Sequence, residues 1–250
     1  MLKVISVIKR KAGMSQEAFL KAWKEVHAGL SHDVPGVRGF VLNEIVQELS
    51  RDDVPDMPGR IDGIAEAWFA DREAMRVSHA TPEAQRWFAD GPVSIGEMRT
   101  SILDEWTIIP KNDAGQWNAS GATLESFAAK KARDKDKSDK RIKVISLLKK
   151  KPNKSDADFM SHWTTIHRPL SYAVPGVGRY TIYKAREELK RDDIPDLPGA
   201  DYDGIAECYY DSQAEMDRTF NSQEAATWFA DGALFIGSIR TFVLKETVII

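Results

Sequence analysis

The sequence predicts an α+β fold, two tandem βαββαβ units packed sheet to sheet as a pseudo-dimeric, eight-stranded α+β barrel. Two observations carry that expectation. The chain nearly repeats itself, and each copy orders short β-branched runs and amphipathic stretches in the same way. Lys3-Val4-Ile5-Ser6 returns 140 residues later as Lys143-Val144-Ile145-Ser146. That offset holds through Trp23/Trp163, His27/His167, Val34-Pro35-Gly36/Val174-Pro175-Gly176 and Arg51-Asp52-Asp53/Arg191-Asp192-Asp193. One inserted residue near Ala200 makes it 141 for Asp62-Gly63-Ile64-Ala65-Glu66/Asp203-Gly204-Ile205-Ala206-Glu207 and for Trp87-Phe88-Ala89-Asp90-Gly91/Trp228-Phe229-Ala230-Asp231-Gly232. A period this long marks a duplicated domain, since solenoid repeats run ~20–50 residues.

Each element follows from its residues. Leu2 to Ile8 is a short β-branched run with a charged exit, a strand. Ser15 caps a helix on which Phe19, Trp23 and His27 follow at i+4 steps and share one face. Val34-Pro35-Gly36 ends it, because proline resists continuing a helix and glycine permits the turn. Val37 to Gln47 reads as a second strand, Ser50 to Arg60 as a loop rich in proline, glycine and charge, and Ile61 to Phe69 as a third strand. Asp71 to Asp90 is helical with a break near Thr81-Pro82, and Arg99 to Ile109 is the fourth strand. This order is the ferredoxin-like split unit, and it repeats from Ile142 to Ile250.

A sheet with helices on one face leaves an apolar face to be covered. Two copies in one chain can cover each other, with room for a cavity in each half. The chain divides accordingly into residues 1–110, a charged linker 111–141, and residues 142–250. Within the linker, Leu124 to Ala132 reads as one or two helical turns. Lys130 to Arg141 is basic but interrupted by Asp134, Asp136 and Asp139, as in a solvated connection.

Bulk composition narrows the function classes. A net charge of −3 offers no electrostatic reason to bind nucleic acid or an anionic membrane. The single cysteine, Cys208, cannot form an intramolecular disulfide and fits a reducing compartment. No apolar run reaches the ~18 residues of a transmembrane helix, and the first ten residues are too short and lysine-rich for a signal peptide. The reading is a cytoplasmic protein with a small-molecule partner, compatible with a homodimer of the two-unit chain. No ligand cluster, phosphate loop or dinucleotide fingerprint is visible, so neither metal nor cofactor is expected.

Several residues are candidates for chemistry. His27 and His167 end a Trp-x-x-x-His frame, on the same helix face as the tryptophan. Each reads either as an acid–base group at an apolar pocket or as a histidine bonding the helix end. His32, His79 and His162 lack repeat partners and read as surface residues. Cys208 faces Ala67 across the repeat, and Tyr180 faces Phe40, so only the second half carries a thiol and a hydroxyl there. Asp53 and Asp193 share an Arg-Asp-Asp-(Val/Ile)-Pro loop. Asp62/Asp203 and Glu66/Glu207 interrupt apolar strands and need partners, for which Arg99 and Arg240 are candidates.

These motifs resemble the EthD-like branch of the dimeric α+β barrel superfamily: a strand, a helix with Trp-x-x-x-His, Pro-Gly, a Gly-Ile-Ala-Glu strand and a late Trp-Phe helix. Both halves carry the pattern, so the resemblance covers all but the linker. More narrowly, Gly59 to Phe69, Trp87-Phe88-Ala89-Asp90-Gly91 and Ile95-Gly96 are similar to the methylmuconolactone methylisomerases, small cofactor-free enzymes of aromatic catabolism. Their pocket groups are a helix histidine, a second-strand tyrosine, a loop histidine and a strand cysteine. Residue by residue these fall on His27 and His167, on Tyr180 (Phe40 in the first half), on Asp53 and Asp193 in place of histidine, and on Cys208 (Ala67 in the first half).

The resemblance implies a cofactor-independent isomerase or lyase acting on a small carbonyl, lactone or phenolic intermediate of aromatic catabolism. His167 would shuttle the proton, and Tyr180 and Asp193 would orient substrate or act as acid and base. Cys208 would line the pocket, or act as nucleophile if its pKa is depressed. Trp163 and Phe235 would form apolar wall. His27, Phe40 and Asp53 would make the first half a scaffold or a site of altered duty. A polyketide cyclase, dehydratase or decarboxylase, or a non-catalytic binding barrel, is compatible with the same residues.

Overall fold

The computed structural model describes residues 1–109 and 141–250. The linker reading for residues 111–140, with its helical turns at 124–132, lies outside the described residues. The first half contains β1 (Leu2–Arg10), β2 (Gly39–Leu49), β3 (Gly63–Phe69) and β4 (Ile95–Ile109). Its first helix, α1, runs from Gln16–Lys21 through a π-helical stretch, Ala22–His27, into Ala28–Leu30. Two more helices, α2 (Arg72–His79) and α3 (Pro82–Ser94), precede β4. The second half repeats this with β5 (Ile142–Lys150), β6 (Arg179–Leu189), β7 (Gly204–Tyr210) and β8 (Ile236–Val248). Its α4 joins Asp156–His162, a π-helical Trp163–His167 and Arg168–Ser171, and is followed by α5 (Gln213–Phe220) and α6 (Gln223–Gly232). Ser15 and Ser155 cap the first helix of each half as expected, accepting from the Ala18 and Asp158 amides at 3.1 Å. The π-helical turns differ from the uninterrupted α-helix that the spacing suggests. In both halves the turn contains the tryptophan and ends at the histidine, and both side chains are buried.

The eight strands close a barrel in the order β1-β3-β2-β8-β5-β7-β6-β4. Each unit keeps the 4-1-3-2 order of a split βαββαβ. The periodicity did not reveal how the sheet edges are sealed. β2 pairs antiparallel with β8, from Val41↔Val248 to Leu49↔Thr241, and β6 pairs with β4, from Ile109↔Tyr180 to Leu189↔Thr100. Closure leaves no open strand edge. Alternation then sorts each strand (Ile5 and Val7 line the barrel interior, Val4 and Ile8 face the helices).

The loops after β2 and β6 cross to the opposite half. Ile239 exchanges backbone bonds with Met57 and Pro55 around Asp56, at 2.8 and 2.9 Å, and Met98 exchanges them with Pro195 and Leu197 at 2.9 and 3.1 Å. Val54 is therefore buried in the second half's core and Ile194 in the first half's. At the pseudo-twofold the two loops touch: a Cβ on Gly59, whose φ is 96°, would lie 2.8 Å from the Pro198 carbonyl. Residues 1–109 expressed alone lack Ile194 and expose two sheet edges, so they should dimerise or aggregate. A monodisperse monomer by light scattering would contradict this.

The strand carboxylates find partners other than the expected arginines. Arg99 pairs with Glu188 and Asp201, and Arg240 with Glu48. Asp62 accepts the Arg10 amide at 3.0 Å and pairs with the Arg10 and Arg60 side chains, while Asp203 accepts the Lys150 amide at 2.8 Å. Both carboxylates thus tie down the end of the first strand of their unit. Glu66 and Glu207 point into the barrel, where Lys143 Nζ reaches Glu66 at 2.8 Å and Lys3 Nζ reaches Glu207 at 3.1 Å. The lysines belong to opposite halves, so the pairing exists only after the barrel closes.

Gly63 explains one feature of the repeated Asp-Gly-Ile-Ala-Glu motif. The edge of the Trp23 ring abuts its backbone, and an added Cβ would stand 2.7 Å from Cζ3 and 2.8 Å from Cη2. Gly63→Ala should lower stability by roughly 1–3 kcal/mol through overpacking, measurable as a lower Tm, with a shifted environment for Trp23.

Candidate active site

Each half holds a cavity between its helices and its sheet. The first-half cavity measures about 690 Å³ and the second-half cavity about 310 Å³. Both fall in the range of small-molecule sites. His27 lines the first and His167 the second.

Each histidine is paired with a carboxylate. His27 Nδ1 lies 3.0 Å from Asp90 Oδ2, and His167 Nδ1 lies 2.8 Å from Asp231 Oδ2. A carboxylate can only accept, so the network assigns the proton to Nδ1 and leaves Nε2 as the basic nitrogen. Burial is the largest influence on both rings. It outweighs Asp231 and, with His162 and Arg51, lowers His167 to about 4. Burial likewise lowers His27 against the pull of Asp90, with help from Arg191. Both imidazoles are therefore neutral near pH 7, with a carboxylate placed to stabilise the cation once a proton is taken. Asp90 and Asp231 were not among the candidates read from the sequence. Their signal was present, since each closes the Trp-Phe-Ala-Asp stretch found in both halves. An aspartate in an exposed-looking helix pattern does not announce what it faces across the fold.

The other candidates sort less evenly. In the second half, Tyr180 is fully buried and its hydroxyl accepts a hydrogen bond from Trp163 Nε1 at 3.0 Å. Burial, then the neighbouring Cys208, raises the phenol's pKa, so it stays protonated. Tyr180, Trp163 and Cys208 all line the His167 cavity. Burial pushes the Cys208 thiol up to about 12, the reverse of what a nucleophilic thiolate requires. Cys208 is placed as pocket wall. Phe235 is also not where the sequence suggested. It is fully buried behind the cavity, edge-on to His167 at 5.1 Å and stacked on His162 at 4.7 Å. It braces the histidine and does not line the pocket.

Asp193 requires a correction. Its loop crosses halves, so it lines the His27 cavity and cannot serve His167. Arg191 grips it at 2.9 and 2.5 Å, which holds the carboxyl below its ordinary range, and also donates to the Phe88 carbonyl at 2.6 Å. Reciprocally, Arg51 lines the His167 cavity and donates to the Phe229 carbonyl at 2.6 Å, with Asp53 held outside against it. A linear sequence cannot show this exchange, because the loop's length allows it to cover either half. Phe40 stays in the first half, lining the His27 cavity edge-on to Trp87 at 5.0 Å.

Two of the three unrepeated histidines are not surface residues. His162 shares Asp231, with Nε2 at 3.2 Å from Oδ1. His79 lines the first cavity between Phe69 and Phe88, and burial lowers its pKa. Only His32 is exposed, as expected. Among the described residues no group of three histidine, cysteine, aspartate or glutamate side chains is placed to hold a metal ion. No helix among them is long and apolar enough to cross a membrane.

Comparisons with known proteins agree with this architecture. A sequence profile of the EthD domain matches residues 11–93 and 151–238. A 4-carboxymethyl-4-methylbutenolide mutase of Pseudomonas reinekei is 28% identical over 107 residues, which is 43% of this chain and 99% of that protein. Among solved structures, an anthrone oxidase-like protein superposes with a TM-score of 0.59 at 10% identity, over 99% of this chain and 93% of the other. A putative monooxygenase of Fusobacterium nucleatum does so with a TM-score of 0.57 at 12% identity, over 99% and 92%. At such low identity these two structures speak for the fold alone.

Proposed function

The chain belongs to the EthD domain family, and from that premise we propose that it is a proton-transferring isomerase or lyase for a small lactone, carbonyl or phenolic compound. The carrying observation is His167, held neutral by burial and oriented by Asp231, on the wall of a cavity it shares with the Tyr180 hydroxyl. The relation to a butenolide mutase supports an unsaturated lactone as substrate class.

The chemistry follows from the groups present. His167 Nε2 takes a proton from the carbon next to a carbonyl, and Asp231 stabilises the imidazolium. Trp163 occupies one lone pair of the Tyr180 oxygen, which leaves the O–H free to donate. As the enolate forms, that O–H bonds to the substrate oxygen, where charge develops. Return of the proton to a different carbon completes an isomerisation. In a lyase, His167 would instead take a hydroxyl proton while the neighbouring carbon–carbon bond breaks and its electrons pass to the conjugated acceptor. Both need only acid–base side chains and a dry pocket, so the reading is cofactor-independent.

The test is incubation with 4-carboxymethyl-4-methylbutenolide in D₂O, followed by NMR. Solvent deuterium entering next to the carbonyl, with or without net rearrangement, is the expected result. No exchange with this or related lactones, phenols and ketones over a wide pH range would remove the reading.

A further inference from the structure

The first cavity lacks the hydroxyl that partners the helix tryptophan in the second, and that difference points to a second binding site. In the second half, Trp163 Nε1 donates to the Tyr180 hydroxyl at 3.0 Å. In the first half Phe40 stands at the tyrosine position and has no oxygen. Trp23 Nε1 is left buried without a hydrogen-bond partner, on a side chain that is itself fully buried and lines the cavity. A buried donor with no acceptor is destabilising, and native folds rarely keep one without a reason. The first cavity also has about 690 Å³ where the second has about 310 Å³.

We propose that the first-half cavity is a ligand site in its own right, filled by a neutral aromatic ketone whose carbonyl oxygen accepts from Trp23 Nε1. The oxygen takes the place that the Tyr180 hydroxyl holds in the other half. The aromatic part is matched by Phe40, Phe69 and Trp87 in the wall. Neutrality follows from the mouth, where the charges are already spent. Arg191 is paired with Asp193, Lys190 with Asp196 and Glu188 with Arg99. The exposed Asp192 on the same rim disfavours an anion. The greater volume admits two fused rings. His27, paired with Asp90, lines the same space and can take a proton from a bound ketone's neighbouring carbon.

The test compares two probes that differ only in the carbonyl, 1-tetralone and tetralin. In wild-type protein, 1-tetralone should bind about ten-fold more tightly than tetralin, and its addition should move the Trp23 indole N–H resonance downfield, assigned with ¹⁵N-tryptophan and Trp23→Phe. Tetralin should not move it. Phe40→Tyr supplies the missing oxygen from the protein. It should raise Tm by a few degrees and remove the preference for the ketone at this site. An unmoved Trp23 resonance at saturating 1-tetralone overturns the proposal. So does a Phe40→Tyr protein that keeps the full ketone preference. The NMR arm needs no variant to fold beyond the assignment sample. Neither arm depends on the His167 cavity turning anything over, so failure here and failure of the isomerase reading are separable.

Discussion

His167→Ala is expected to lower turnover of the lactone by at least ~10²-fold, the usual contribution of a positioned acid–base group. His27→Ala should leave it largely intact. The asymmetry has a structural cause. Both histidines are buried and carboxylate-paired, but of the two cavities only that of His167 carries a tyrosine hydroxyl, Tyr180, to meet a developing oxyanion. Tyr180→Phe should cost a comparable factor in kcat while leaving KM little changed, because its hydrogen bond strengthens as the reaction proceeds. Circular dichroism separates these losses from unfolding. Loss of turnover in His27→Ala with retention in His167→Ala would transfer the chemistry to the first half.

The same histidine gives a pH signature. Its pKa is about 4 in the fold against 6.5 for the free ring. Between those values the unfolded chain binds the proton and the folded one does not, so stability rises with pH across the window. The contribution is fully present above about pH 6.5 and is lost as pH falls towards 4, at a total of roughly 3 kcal/mol. His167→Phe should flatten that part of the urea-stability profile. An unchanged slope would mean that the ring is hydrated enough to titrate normally.

The second large effect lies in the barrel interior. Lys143 sits between Glu66, at 2.8 Å, and Glu246, at 2.8 Å, with Glu207 at 3.7 Å. Burial opposes its charge, yet Glu246 and Glu66 hold its ammonium well above the ordinary lysine range. Lys143→Met should destabilise the protein by about 3–5 kcal/mol, because it leaves buried carboxylates uncompensated. Lys143→Met combined with Glu66→Gln should recover part of the loss, read as a rise in the urea midpoint. By contrast, breaking the exposed Arg76–Glu73 pair should change little. If Lys143→Met proves as mild as that surface change, water must reach the barrel interior.

Local pattern determined most of the architecture. Strand periodicity, the Ser15 and Ser155 caps, the Val-Pro-Gly turns and the long repeat specify two βαββαβ units, and their bare sheet faces require a mutual cover. These are short-range preferences and hydrophobic alternation, which a sequence displays directly. The shared helix histidines and the Tyr180/Phe40 and Cys208/Ala67 differences were legible for the same reason, since comparing the halves needs no coordinates. What tertiary structure alone decided is every partnership across the fold. It sent Asp193 to His27 and Arg51 to the His167 cavity, joined Lys3 and Lys143 to the opposite half's glutamates, and placed Asp90 and Asp231 on the histidines. It also hid Phe235 behind the pocket and left Trp23 without an acceptor. Such contacts depend on barrel closure and on which half a loop crosses to, and no residue's own propensity encodes either.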